Sequence, residues 1–298
     1  MAQFDQLIGK PSRRQVLRWG VAATVAAMAF ETRSRVAARE DETPEIYVST
    51  AEAFVEAIGS NRTIVVNPGS YDLTNLDRSD ASEFVSFESV HDGEQLNISG
   101  VENLTILGLG DRSPRLLARP RYANVLTFLN SRNVTLQNLE LGHFPDRGTC
   151  SGSVLYFSGC RDITIADHHL FGSGAWGLFV RNTENLNVRN SIVRHCTYGI
   201  AEFYGVRNLR LEDCWFSYNQ QFSTIYVSES QNIEFLRCEF NDNVVESYRN
   251  YFFELQDSTG LKISDCHFEH NQAQNFASDL DSIELTNNTF DKNTFTDI

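Results

Sequence analysis

Positive charge is scarce in this sequence. Its 298 residues carry 25 Lys and Arg against 39 Asp and Glu, a net charge of −14. Residues 1–40 hold seven of the basic and three of the acidic side chains, so the rest of the chain has 18 against 36, a net charge of −18. Such a body repels nucleic acid and anionic membrane surfaces, which excludes both as main partners. Long apolar runs are also missing. The one candidate, Trp19 to Phe30, is too short to span a bilayer stably. The six cysteines include no CxxC pair and no Cys/His spacing of the zinc type, and no acidic loop of the Ca²⁺-binding kind occurs. No metal and no cofactor is therefore expected. The Gly-rich stretch Gly172-Ser173-Gly174-Ala175-Trp176-Gly177 precedes no helix, which leaves its glycines to serve turns rather than a phosphate.

What the chain does have is a repeat. Residues 208–219 read Asn, Leu, x, Leu, x, x, Cys, x, Phe, x, x, Asn, and the pattern returns at 232–243, at 260–271 with Gly260 first, and at 282–293 with Asn288 in the Cys place. Weaker copies start at Asn103, Asn133, Asp162 and Asn185. The eight starts lie 30, 29, 23, 23, 24, 28 and 22 residues apart, the period of a solenoid. Counted from the first residue, positions +1, +3, +6, +8 and +11 are apolar, Cys or Asn, with polar residues between. Period-two alternation means strand, and the break after +3 is a bend. Upstream, apolar residues at −7 and −5 (Leu178/Val180, Ala201/Phe203, Ile225/Val227) give a third strand.

In this register Cys214, Cys238 and Cys266 stack inward as small core side chains, Phe216, Phe240, Phe268 and Phe290 form an aromatic column, and Asn219, Asn243, Asn271 and Asn293 line a turn. Cys160 and Cys196 also fall on inward positions, and His168 at +6 reads as a core histidine. Residues 115–124, 144–153 and 244–251 are extra, and all three inserts are expected to rise from the turn before the third strand.

Three short strands per coil resemble the right-handed parallel β-helix of the pectate-lyase-like superfamily, over residues 46–298. The expected fold is all-β, a solenoid of about 22–30-residue coils. A short helix, with Ser49 and Glu52 as its capping box, covers the N-terminal end. The run Ser12-Arg13-Arg14-Gln15-Val16-Leu17-Arg18 resembles a twin-arginine (Tat) signal, with Val16 where Phe is usual, and Val36-Ala37-Ala38 suits a signal peptidase. The expected organisation is a Tat-type signal peptide over 1–38, a linker over 39–45 and one domain over 46–298. The protein is then exported, periplasmic or extracellular, with no membrane span once the signal is removed.

Function is sought on the outward residues of the third strand, at −6 and −4. They include Tyr156, Phe179, Arg181, Glu202, Tyr204, Tyr226 and Glu254. Rings interleaved with charges suit a sugar chain, whose C–H faces stack on aromatics while its hydroxyls meet polar tips. In the superfamily that the chain resembles, this sheet often forms the saccharide groove. Tyr156, Phe179, Tyr204, Tyr226, His143 and Trp176 are the candidate substrate-binding residues. Arg181, Glu202 and Glu254 are the candidate catalytic ones. The two glutamates, two coils apart at ~4.8 Å per coil, stand about 9–10 Å from each other along the backbone, a separation compatible with an inverting hydrolase. An Arg181–Glu202 salt bridge is the competing reading. The motifs of polygalacturonase-like and alginate-epimerase members are absent, so the resemblance assigns no chemistry.

Two functions stand side by side. One is a protein that binds a polysaccharide in this groove, with cleavage, as lyase or hydrolase, left open beside binding. The other is a non-catalytic envelope or interaction protein, monomeric or associated end to end because no C-terminal cap is evident.

Overall fold

The computed structural model describes residues 43–76, 78–144, 150–220, 224–245 and 251–298. The expected signal peptide lies outside them. From residue 43 onward the chain winds as a parallel β-helix of three sheets. Sheet A has ten strands, from Glu45–Val48 to Ile283–Thr286. Sheet B has nine, from Ser70–Asp72 to Thr289–Asp291, and sheet C nine, from Val85–Val90 to Asn275–Ala277. One regular coil runs Gly199–Tyr204 in sheet C, Arg207–Glu212 in A and Trp215–Ser217 in B.

Two of the three bends are nearly invariant. From Asn97 to Thr259 each passage from sheet C to A takes two residues, such as 182–183 and 205–206, the last one lengthening to 278–282, and from Arg132 on the passage from A to B also takes two, such as 190–191 and 213–214. The first residue of each bend has positive φ. These residues are Gly, Asn or Asp almost throughout (Asn182, Gly205, Asn190, Asp213), because few others tolerate the left-handed region. The repeat-start residues Asn103 to Asn232 are left-handed as well, which explains why Gly260 substitutes for Asn there. The passage from B to C varies from four residues at 172–175 to eleven at 144–154 and twelve at 73–84. Between the first coils and the last, loop variation is therefore concentrated at one edge.

Inside, the expected columns are present and the polar ones are hydrogen-bonded. Asn243 Oδ1 accepts from Asn219 N at 3.1 Å and Asn219 Nδ2 at 3.0 Å, while Asn243 Nδ2 donates to Phe216 O at 2.9 Å and to Asn271 Oδ1 at 2.9 Å. The same pattern carries Asn271 onto Asn293. Asn219, Asn243 and Asn271 are fully buried, and this ladder satisfies groups that would otherwise be bare. The phenyl rings stack beside it, Phe240 on Phe268 at 4.5 Å and 2°. The cysteines are more than apolar filler. Cys238 Sγ donates to Leu211 O at 3.4 Å, and Cys266 Sγ accepts from Cys238 N at 3.3 Å. Asn288 holds the equivalent place in the last coil and makes the equivalent bonds, to Cys266 N and Ile263 O. All six cysteines are buried free thiols. Burial pushes the Cys196 thiol up to about 12 and raises that of Cys150, whose state the sequence left open.

Three expectations at the ends and edges need correction, and one hairpin was not expected at all. The N-terminal helix, Ala51–Glu56, is capped by Thr50, whose side chain accepts from Ala53 N at 3.1 Å; Ser49 instead meets Asn67 Nδ2. A hydroxyl stands at both positions, so spacing alone could not choose. Arg115–Ala118 is a strand of sheet B, paired with Glu140–His143, so the extra residues of that coil split between 109–114 and 119–125. Val85–Val90 folds back on Gly93–Ser99 as an antiparallel hairpin that closes sheet C at the N-terminal end. At the other end, Phe295 packs on Phe252 and Phe276, and the Asp297 carboxylate accepts from Phe276 N at 2.5 Å and Ala277 N at 3.3 Å, covering part of the edge expected to be open.

Candidate functional site

The strand register aligns the outward residues of sheet C into two rows. One runs Asn97, Thr127, Tyr156, Phe179, Glu202, Tyr226, Glu254 and the other Ser99, Leu129, Ser158, Arg181, Tyr204, Ser228, Gln256, each residue a Cα partner of the next. The sequence-predicted row is thus continuous, with the variable B-to-C loops along one side. Sheet C holds it because Leu178, Val180, Ala201, Phe203, Ile225 and Val227, on the alternate positions, are buried in the core.

The row is preorganised by its own contacts. Tyr156 and Phe179 meet edge to face at 5.0 Å. The Arg181 guanidinium lies 5.1 Å from the centre of the Tyr204 ring. Tyr204 donates to Glu229 Oε1 at 2.9 Å, and the carboxylate raises the phenol pKa above its ordinary value. Tyr226 donates to Gln256 Oε1 at 2.7 Å. The sequence places Gln256 in the outward row beside Glu254 but gives Glu229 no part in it. Glu229 had left a signal, since it stands with positive φ at the bend position that Gly159, Asn182 and Gly205 hold in other coils. Glu202 and Glu254 flank Tyr226 from adjacent strands, which sets their backbones about 9–10 Å apart.

Two candidates leave this surface. His143 is fully buried, with Nε2 at 2.7 Å from Ala123 O, and desolvation pushes its pKa down to about 4. That contact places the proton on Nε2, and among the described residues none bonds to Nδ1. Trp176 is only 9% exposed, at the start of its sheet C strand. Both are packing residues: His143 lies against the 119–125 passage through Ala123 O, and Trp176 opens its strand with little surface exposed. His168 is a core histidine as expected, its Nδ1 at 2.6 Å from Ala166 O, and burial lowers its pKa to about 4.

Elsewhere, sheet A presents a charged face tied by ion pairs such as Arg210–Glu234 at 2.6 Å and Lys262–Glu284 at 2.8 Å. An open depression of about 650 Å³ lies there, walled by Asn208, Arg210, Glu234 and Lys262, and another of about 460 Å³ lies at the C-to-A bends. No aromatic ring lines either one, and their charges already serve each other. Among the described residues no group of three or more His, Cys, Asp or Glu is placed to hold a metal ion, and no helix is long and apolar enough to cross a membrane.

Solved structures with similar architecture include the pectate lyase PelN from Paenibacillus sp. 0602, at 8% identity and TM-score 0.56, covering 87% of this chain and 79% of that one. A rhamnogalacturonan lyase matches at 10% identity and TM-score 0.53, covering 80% and 68%. Escherichia coli YbhC matches at 12% identity and TM-score 0.51, covering 95% and 94%. At these identities the likeness concerns the fold. No match is found among curated proteins. The family model described as right handed beta helix region matches residues 122–290, more than half of the chain, which spans the coils carrying the row from Thr127 to Glu254. With three parallel sheets, in-register inner columns and this match, the chain belongs to the right-handed β-helix family.

Proposed function

We propose that this is an exported protein that binds a polysaccharide along the outward face of sheet C, with Tyr156, Phe179, Tyr204 and Tyr226 as stacking surfaces and Glu202, Glu254 and Arg181 as polar contacts. The observation that carries the proposal is the unbroken register of rings and carboxylates on a sheet bordered by the loops of varying length. Two of the structures with similar folds are named as lyases of pectate and rhamnogalacturonan, which agrees with a saccharide ligand. Export rests on the Arg13-Arg14 signal and its cleavage site, with residues 1–38 removed.

Hydrolysis is the second reading, favoured by the spacing of Glu202 and Glu254. One carboxyl would protonate the leaving oxygen while the other activates water on the opposite face of the sugar. The test is to incubate the purified protein with neutral and uronic polysaccharides, following binding and products together. Saturable binding lost in Phe179→Ala and Tyr226→Ala is the expected result. New reducing ends abolished by Glu202→Gln would add catalysis, and absence of binding to every glycan would sink the proposal.

A further inference from the structure

Sheet B carries an aromatic patch that the sequence reading did not consider. Ile192 and Trp215 are Cα partners on adjacent strands, and both point outward, 37% and 47% exposed. Tyr218, three residues after Trp215, is 48% exposed. The rings of sheet C are half-buried by comparison, and among the described aromatics of the three sheets only Tyr47, on the first strand of sheet A, is more exposed than Trp215.

The rings are held in place by polar neighbours. Trp215 Nε1 donates to Asn241 Oδ1 at 3.0 Å, with the amide turned so that its nitrogen donates to Phe240 O. The Tyr218 hydroxyl bonds to the Asp242 carboxylate, whose charge raises the phenol pKa. The His195 ring lies 5.6 Å from that of Tyr218. On the neighbouring coil Arg194 donates to His169 Nε2. Burial and the flanking arginines lower the pKa of that histidine to about 4, so at neutral pH it accepts this bond uncharged.

Size and charge together select the occupant. The patch spans two coils and a few residues along each strand, on the order of 100–200 Å², far below the ~800 Å² per partner of a stable protein interface. Cationic Arg194 stands on one side, with Glu239 and Asp242 on the other, so neither a polyanion nor a polycation is matched. A ligand that presents C–H faces and hydroxyls alternately, and is narrow enough for two coils, fits both the rings and the interleaved donors and acceptors.

We infer that Trp215 and Tyr218 form a second saccharide-binding platform on sheet B, for an uncharged glycan and independent of the row on sheet C. The fixed rings lose little freedom on binding, which favours contact with a ligand of modest size.

The test is affinity electrophoresis of the purified protein in gels holding barley β-glucan, galactomannan or polygalacturonate, with Trp215→Ala, Trp215→Phe, Tyr218→Ala and Tyr226→Ala compared. Acrylamide quenching of tryptophan fluorescence supplies a second readout, since Trp176 is buried and Trp215 is not. The expected result is that a neutral glycan retards the wild type, that Trp215→Ala weakens its binding by about tenfold, and that Trp215→Phe recovers most of it. The glycan should also shield Trp215 from acrylamide. If Trp215→Ala binds every glycan like the wild type while Tyr226→Ala does not, the platform is overturned and the sheet C proposal stands. The converse pattern removes the sheet C proposal and keeps the platform. A wild type that self-associates through Trp215 and binds no glycan would assign the patch to a second copy of the chain and overturn the inference.

Discussion

The inner columns and the outward rows of this β-helix are built on the same coils by opposite rules. Inward positions repeat: Phe216, Phe240, Phe268 and Phe290 in one column, Asn219, Asn243, Asn271 and Asn293 in another. Outward positions on sheet C change at every step, from Tyr156 to Phe179, Glu202, Tyr226 and Glu254. A side chain stacked on its own copy keeps the ring contact or amide bond that the coil below established, so repetition stabilises the core. Outside, water satisfies whatever stands there, and variety costs little. Repetition in this chain therefore marks structure, and the candidate site lies among residues that break it.

The largest expected effect is in the core. Phe240→Ala removes a ring stacked on both Phe216 and Phe268 and should cost about 3–5 kcal/mol in urea unfolding. Asn243→Leu leaves Asn219 N, Asn219 Nδ2 and Phe216 O without their partner and should cost about 3 kcal/mol or more.

Acid should separate inner from outer residues in another way. His143 and His168 have folded pKa values of about 4, below the 6.5 of an exposed histidine, because burial disfavours the cation. Between those values the unfolded chain binds protons that the folded one refuses. The stability that these residues contribute is full above pH 6.5 and is lost as pH falls toward 4. The loss is on the order of 3 kcal/mol per histidine. Urea midpoints measured from pH 7 to 4 should fall, and His168→Asn should flatten the slope.

Sheet C gives the smallest effect on stability. Tyr226→Ala and Glu202→Gln should change the unfolding free energy by roughly 0.5 kcal/mol or less, yet weaken glycan binding by about tenfold. A large stability loss in Tyr226→Ala would erase the contrast between the two sets of positions.

The architecture was legible because strand alternation, bend chemistry and the Asn, Cys and Phe columns all agree at one period. Legibility failed where a local choice had two similar answers, as with Ser49 and Thr50, or where an insert shifted the register, as at 109–118. His143 and Trp176 were misplaced for a related reason. Both stand at the ends of the variable B-to-C passages, where burial leaves no periodic trace. Trp215 was passed over because it lies inside the repeat, although its position points outward. The hydrogen bonds of Glu229 and Gln256 to the tyrosines link residues 25 and 30 apart, which only the winding of the coils brings together.

The most direct test of the central claim is hydroxyl-radical footprinting of the protein, free and saturated with a glycan that it binds. The account predicts lower oxidation of Tyr156, Phe179 and Tyr226 in the complex. Unchanged oxidation at all three, at a glycan concentration that saturates binding, would contradict it.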